Sequence, residues 1–410
     1  MLLRDNKLYI NINNQSILDR INIFAVFMIA ILACLAACQG DSPLGTLGFK
    51  NYAKYCLYFL SFLSIAIALC KRKIKLLLFL IPVAWWISTH INVYRNFSYD
   101  FLIFIELEAI LLSSEEIKLR SFIMFRKFLV IVALLGIICY ASYKLNLGLP
   151  NETIGYYTKD SESLYHNYFI SYIYYSDKIG SRLCGLFNEP GRCGTIIALV
   201  LCADNVNLRK IENIILFIAG VLTFSLAFVI IISLYIIMSF YKNRALFIAL
   251  IVFFFVYFFI LPNIQLNNVE VQNILSRFTF SNGLIIDDNR TSPEFDAIFN
   301  NWLHSSQLFF GYGDGYGHFV GTSSYKVKLL YYGIIGFIAM YGYLLFCAIN
   351  RIKNSNSIRM LSYVLVFFIS IYQRPNIFTG TFMLLLFGGL EYIDLKTFQN
   401  RQIEYEVAQL

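Results

Sequence analysis

Charged residues are scarce in this chain. Asp, Glu, Lys and Arg make up 14% of its 410 residues, against about 25% in a soluble globular domain. That scarcity excludes a string of water-soluble domains, because no polar stretch is long enough to surround a core of its own. Metal-ligand spacing is missing too: the four histidines and nine cysteines fall into no His/Cys/Asp pattern that would hold an ion. The expectation is therefore no metal and no cofactor. No internal repeat is visible, which argues against a transporter assembled from duplicated halves. Nor do the apolar stretches alternate with polar residues, which excludes a closed membrane β-barrel.

What the chain has instead is apolar sequence in long blocks, 58% hydrophobic overall and 17% aromatic. Such blocks predict an all-α, polytopic membrane protein. Twelve spans are predicted, at 21–38, 51–70, 74–92, 99–113, 127–145, 190–204, 211–223, 226–241, 245–261, 326–348, 359–372 and 377–393. They form one membrane domain over residues 1–410. The net charge of +8 does not signal nucleic acid, because the basic residues sit beside the ends of apolar blocks. With the N-terminus inside, the inner loops collect Lys71, Arg72, Lys73, Lys75, Lys118, Arg120, Arg126, Lys127, Arg209, Lys210, Lys242, Arg244, Arg351, Lys353 and Arg359, the asymmetry expected of cytoplasmic loops. Both termini are then cytoplasmic. Spans seven and eight are shorter than the roughly 20 residues of a straight crossing. Joining them would scatter Lys242, Arg351 and Lys353 over both sides, so a hairpin turning at Thr223-Phe224-Ser225 is expected. Leu35-Ala36-Ala37-Cys38 resembles a lipoprotein cleavage box, but the long polar start favours an uncleaved first helix.

Two segments are then large and external, 146–189 and 262–325, and His90, His166, His304 and His318 fall on or near that side. The first is rich in tyrosine, read mainly as an interfacial aromatic belt, with stacking on sugar rings as the alternative. The second contains a readable helix. Ser292 is a good N-cap, Pro293 suits the first helical position, and Phe295, Ile298, Phe299 and Trp302 make one apolar face. The run Gly311-Tyr312-Gly313-Asp314-Gly315-Tyr316-Gly317-His318 follows. It is either a loose turn or a place where backbone approaches a ligand closely. Asp287 and Asp288 read as solvated, with a divalent metal as the alternative. Glu106 and Glu108 lie within span four, where a carboxylate has a function or a buried partner; the structural role is preferred.

The most informative stretch is Ser181-Arg182-Leu183-Cys184-Gly185-Leu186-Phe187-Asn188-Glu189-Pro190-Gly191-Arg192-Cys193-Gly194. It puts two arginines and a glutamate at the mouth of an apolar helix, where unpaired backbone N–H groups favour an anion. Cys184 and Cys193 read as free thiols, with a disulfide as the alternative. The stretch resembles the Arg-Leu-x-Gly-x-Phe segment of Wzy-type O-antigen polymerases and the related O-antigen ligases. The similarity continues through Leu222-Thr223-Phe224-Ser225, Arg290, Trp302, Gly311-Tyr312-Gly313 and Tyr332-Gly333-Ile334-Ile335-Gly336. Two departures lean away from the ligases. Those usually carry Ser-Arg at the hairpin, where this chain has Ser225-Leu226. They also carry His eleven residues before the glycine matching Gly333, where this chain has Thr322.

The resemblance implies a GT-C-like membrane glycosyltransferase at the outer face of a bacterial inner membrane. It would act on undecaprenyl-pyrophosphate-linked oligosaccharides, joining a growing glycan to the next lipid-linked repeat unit, with a separate chain-length regulator as partner. Arg182 and Arg290 would bind the donor pyrophosphate, with Arg192, Asn188, Asp314 and His318 adding substrate contacts. Glu189 is either the base on the acceptor hydroxyl or an acid complementing the helix N-terminus. The alternatives are a ligase that transfers the glycan to lipid A core and, further off, a transporter of lipid-linked oligosaccharide.

Overall fold

The computed structural model describes residues 16–36, 49–71, 97–158, 161–169, 171–176, 180–187, 189–240, 280–281, 284–285, 292–313, 325–353, 357–373 and 379–398. These are mostly helical. In chain order the helices are α1 (Ile17–Ala36), α2 (Phe49–Lys71), α3 (Phe97–Leu112), α4 (Glu115–Leu145), α5 (Pro190–Ala203), α6 (Ile211–Leu222), α7 (Leu226–Ser239), α8 (Pro293–Leu303), α9 (Tyr325–Lys353), α10 (Ile358–Gln373) and α11 (380–398). Among them, three stretches are long and apolar enough to cross a membrane: Tyr52–Cys70, Glu115–Leu145 and Tyr325–Lys353. Helices occupy every predicted span except 74–92 and 245–261, which lie outside the described residues.

Local chemistry explains the ends of α4. Its N-cap Ser114 accepts from the backbone N–H of Ile117 at 3.2 Å, and Glu115 and Glu116 follow in the first turn. Lys144 lies in the last turn and Asn146 closes the helix in the left-handed region at φ 52°, so both ends complement the helix dipole. At 31 residues α4 is about 46 Å long. It is the tall post of the bundle. The much shorter α5 is the hub: Ile196 to Cys202 are all at most 1% exposed, with α6, α7, α10 and α11 packed around it.

The all-helical class holds for the bulk of the described chain and fails in the first large loop. Residues read there as a tyrosine-rich external loop form a four-stranded antiparallel meander: β1 (Glu152–Thr158), β2 (Ser161–Asn167), β3 (Tyr172–Ser176) and β4 (Gly180–Gly185). The run Tyr172-Ile173-Tyr174-Tyr175 is aromatic and β-branched, which suits a pleated, half-buried surface. Its alternation sorts two faces. Ile173 and Leu183 pair across β3 and β4 and are buried, and His166 on the same face packs on Tyr143 of α4. Tyr165, Tyr174 and Arg182 line up on the other face. The sheet closes one end of the bundle. A two-stranded ribbon pairs β5 (Phe280–Ser281) with β6 (Leu284–Ile285).

The opposite end is fastened by charge. Arg126 of α4 reaches Asp204 at 3.2 Å, Glu212 and the Asn213 side chain at 2.9 Å. Asp204 also takes Lys210 at 2.6 Å and the Tyr392 hydroxyl of α11 at 3.3 Å. A second clamp joins α9 to α11, where Arg351 grips Glu391 in a two-pronged contact at 2.9 and 2.7 Å and Asp394 at 2.7 Å.

Candidate functional site

The segment from Gly180 to Gly194 runs from the sheet into the hub helix. Leu183 anchors β4 on α4; a Cβ built on Gly136 would stand 3.1 Å from Leu183 Cδ1. The Tyr140 hydroxyl of α4 donates to the Ser181 carbonyl at 3.2 Å. Gly185 then turns the chain at φ +61°, and the Phe187 N–H closes the turn on the Cys184 carbonyl at 3.1 Å. The turn delivers Pro190 to the first position of α5 and leaves Glu189 as its N-cap residue, extended at φ −143° and ψ 140°. The Glu189 side chain makes no capping hydrogen bond.

Arg182 projects from β4 onto the tip of the α6–α7 hairpin. Its Nε donates to the Thr223 carbonyl at 2.9 Å and its Nη2 to the Phe224 carbonyl at 3.0 Å. The tip turns at Thr223-Phe224-Ser225 as expected, with Phe224 at φ +44°. From the other side α5 presses Gly194 against it. A Cβ there would lie 2.7 Å from the Ser225 Cβ and 2.8 Å from Thr223 Oγ1. Strand, helix mouth and hairpin tip therefore meet, joining two motifs that stand about 40 residues apart.

Arg192, in the first turn of α5, faces inward. Its Nε and Nη2 are buried and have no hydrogen-bond partner among the described residues, and its charge acts on the Glu106 carboxylate of α3. Glu106 Oε2 accepts from the Gly380 N–H at 2.6 Å. This carboxylate thus caps α11 from another helix, replacing the Thr379 side chain, which makes no cap bond. Two helix N-termini, one guanidinium and one carboxylate converge here. Cys184 lies within electrostatic reach of both Arg182 and Glu189, but burial above all pushes its thiol up to about 12. It is an inert thiol, and neither Cys184 nor Cys193 is bonded to another cysteine.

Comparison of the chain with family models, curated proteins and solved structures yields no match. Of the residues singled out from the sequence, the structure brings Arg182 and Glu189 to one corner and aims Arg192 toward Glu106. Arg290, Asn188, Asp314 and His318 lie outside the described residues, as do Asp287 and Asp288. Among the described residues no three His, Cys, Asp or Glu side chains gather as a metal site.

The amphipathic helix forms as the sequence predicts. Ser292 accepts from the Phe295 N–H at 3.2 Å, and Phe295 and Trp302 are each 1% exposed. Of the glycine run only Gly311, Tyr312 and Gly313 are among the described residues, and these approach another backbone. Helix α9 is broken at Gly333, at φ 67° and ψ 178°. The Tyr312 and Gly313 N–H groups donate to the Leu330 and Tyr331 carbonyls, both at 2.9 Å, and the Ile335 N–H donates to the Phe309 carbonyl at 3.1 Å. A Cβ on Gly311 or Gly333 would overlap the opposing main chain.

Sequence reasoning missed three features: the carbonyl partners of Arg182, the cross-helix cap made by Glu106, and the charged clamps. The signal for the clamps was present in Asp204, Glu212, Glu391 and Asp394, acids standing at the basic ends of apolar blocks.

Proposed function

We propose that the chain is a glycosyltransferase of the O-antigen polymerase type, crossing a bacterial inner membrane twelve times in a GT-C-like arrangement. Both termini would be cytoplasmic and the two large loops external. The reading is supported above all by the meeting of β4, the mouth of α5 and the 223–225 tip, because these carry the motifs on which the resemblance rests. The donor would be a glycan on undecaprenyl pyrophosphate and the acceptor the next lipid-linked repeat unit.

In this reading the acceptor hydroxyl oxygen attacks the anomeric carbon of the donor. The bond from that carbon to the pyrophosphate oxygen breaks, and the hydroxyl proton passes to a base. The pyrophosphate leaves with its negative charge, so preorganised donors aimed at it supply most of the barrier reduction. Arg192, the first-turn N–H groups of α5 and Arg290 are the proposed anion ligands, with Asn188, Asp314 and His318 on the sugars. Glu189 is the proposed base, because it stands at the N-cap of α5 beside the proposed anion site. Arg182 would contact the pyrophosphate only in competition with two hairpin carbonyls, so its main effect is to fix the tip beside the anion site.

The experiment is the lipopolysaccharide banding pattern of a deletion strain beside the complemented strain. Core bearing a single repeat unit supports polymerisation. Bare core with polymer left on the lipid carrier would instead indicate a ligase, and an unchanged ladder would sink both. Undiminished chain extension by a Glu189→Gln variant at normal expression would exclude Glu189 as the base.

A further inference from the structure

Glu106 and Glu108 stand two residues apart on α3, so they point to nearly opposite sides of the helix. Their surroundings differ accordingly. Glu106 has the Gly380 N–H at 2.6 Å and the Arg192 charge nearby, with Tyr58 of α2 also within electrostatic reach. Glu108 is 0% exposed, and neither carboxylate oxygen has a hydrogen-bond partner among the described residues. The groups that face it are Tyr343 and Cys347 on α9, which are bonded to each other. Lys118 of α4 shares the surroundings of Cys347, but its Nζ donates to the Leu111 carbonyl at 2.9 Å and sits 5.7 Å over the Phe387 ring. An isolated carboxylate anion in such a place carries a desolvation cost that no contact here offsets. A carboxyl group carrying a proton does not.

We propose that Glu108 is a proton-binding site within the helical core, on α3 and within electrostatic reach of Tyr343 and Cys347 of α9. Loss of the proton leaves a buried carboxylate with no hydrogen-bond partner among the described residues. Tyr343 and Cys347 lie between two fixed points of α9, the break at Gly333 and the Arg351 clamp, so proton exchange acts beside a segment held at both ends. Nothing in this site depends on glycan transfer.

Dicyclohexylcarbodiimide on the full-length protein in native membranes tests the proposal, because this apolar reagent needs a protonated carboxyl group. The acid proton moves to a reagent nitrogen while the carboxyl oxygen bonds the central carbon, and an acyl shift to nitrogen makes the adduct permanent. Peptide mass spectrometry is expected to find the adduct on Glu108, less of it as pH rises, and none at that position in Glu108→Gln. An unmodified Glu108, or labelling of Glu108 that does not change with pH, overturns the proposal. Thermal melting gives an independent reading. Glu108→Gln should melt within about 1 °C of the unaltered protein, a shift worth roughly 1 kcal/mol at this size, because an amide replaces a neutral acid of the same shape. A larger fall in Glu108→Gln than in Glu106→Gln would also overturn it.

Discussion

Arg182 shows how much a single side chain is asked to do at the corner of the sheet. Its planar fork satisfies two main-chain carbonyls at a turn whose backbone is already unusual at Phe224. Hydrogen bonds from charged donors contribute about 1.5–3 kcal/mol each. Arg182→Ala should therefore lower unfolding stability by about 2–4 kcal/mol, measured by denaturant titration in detergent. Arg182→Lys should recover about half, since an ammonium lacks the fork. A stable Arg182→Ala protein would mean that the hairpin tip does not need it. His166 gives a pH signature on the same sheet. Burial holds its imidazole below the usual range, so the folded state binds its proton less readily than the unfolded chain. Its stability contribution is full above the ordinary imidazole value of about 6.5 and is lost as pH falls through the lower folded value. Replacing His166 with Gln should flatten the stability profile across that acidic range.

At the scale of elements, the broken α9 and the loop that mends it form one unit. A helix interrupted at Gly333 leaves backbone groups unpaired, which apolar surroundings do not tolerate. Tyr312, Gly313 and Phe309 supply the missing partners. Two glycines make this possible by removing both Cβ atoms from the interface. Gly333→Ala adds a methyl that overlaps Phe309 and forces an L side chain into the left-handed region, at about 1–2 kcal/mol for the strain alone. The expected result is a fall in melting temperature with faster proteolysis in the 309–313 loop. Unchanged protection of that loop would exclude the latch. The α6–α7 hairpin depends on glycine similarly. The tip docks because Gly194 has no side chain, and the chain closes behind it because Gly220 leaves room for the Phe228 ring.

At the scale of the molecule, the sheet and the charged clamps hold opposite ends of the bundle. Arg126 and Tyr140 mark the two levels on α4 and stand about 21 Å apart along it. Removing one partner of a buried ion pair costs about 3–5 kcal/mol. Arg126→Met should fall at the lower end, because Lys210 still pairs with Asp204. Arg351→Met should do at least as much harm, since Glu391 loses both prongs of its contact. Unfolding of the two variants in the same detergent would rank the clamps.

Helix positions were legible because apolar blocks and caps act locally. The α6–α7 turn was read from span length and charge, the amphipathic α8 from Ser292, Pro293 and its apolar spacing. The strands of 152–185 were less legible, because a meander is stabilised by cross-strand neighbours and by α4 beneath it. The motif residues Arg182, Glu189 and Arg192 could be picked out as charges beside an apolar helix, but not given partners. Which carbonyls Arg182 meets, which helix Glu106 caps and which backbone Gly311 touches are contacts between segments remote in sequence. The chain by itself determined where its helices run and where charge would be costly. Only the tertiary structure decided what each buried charge is held against, because a pairing between remote segments exists only once the helices have packed.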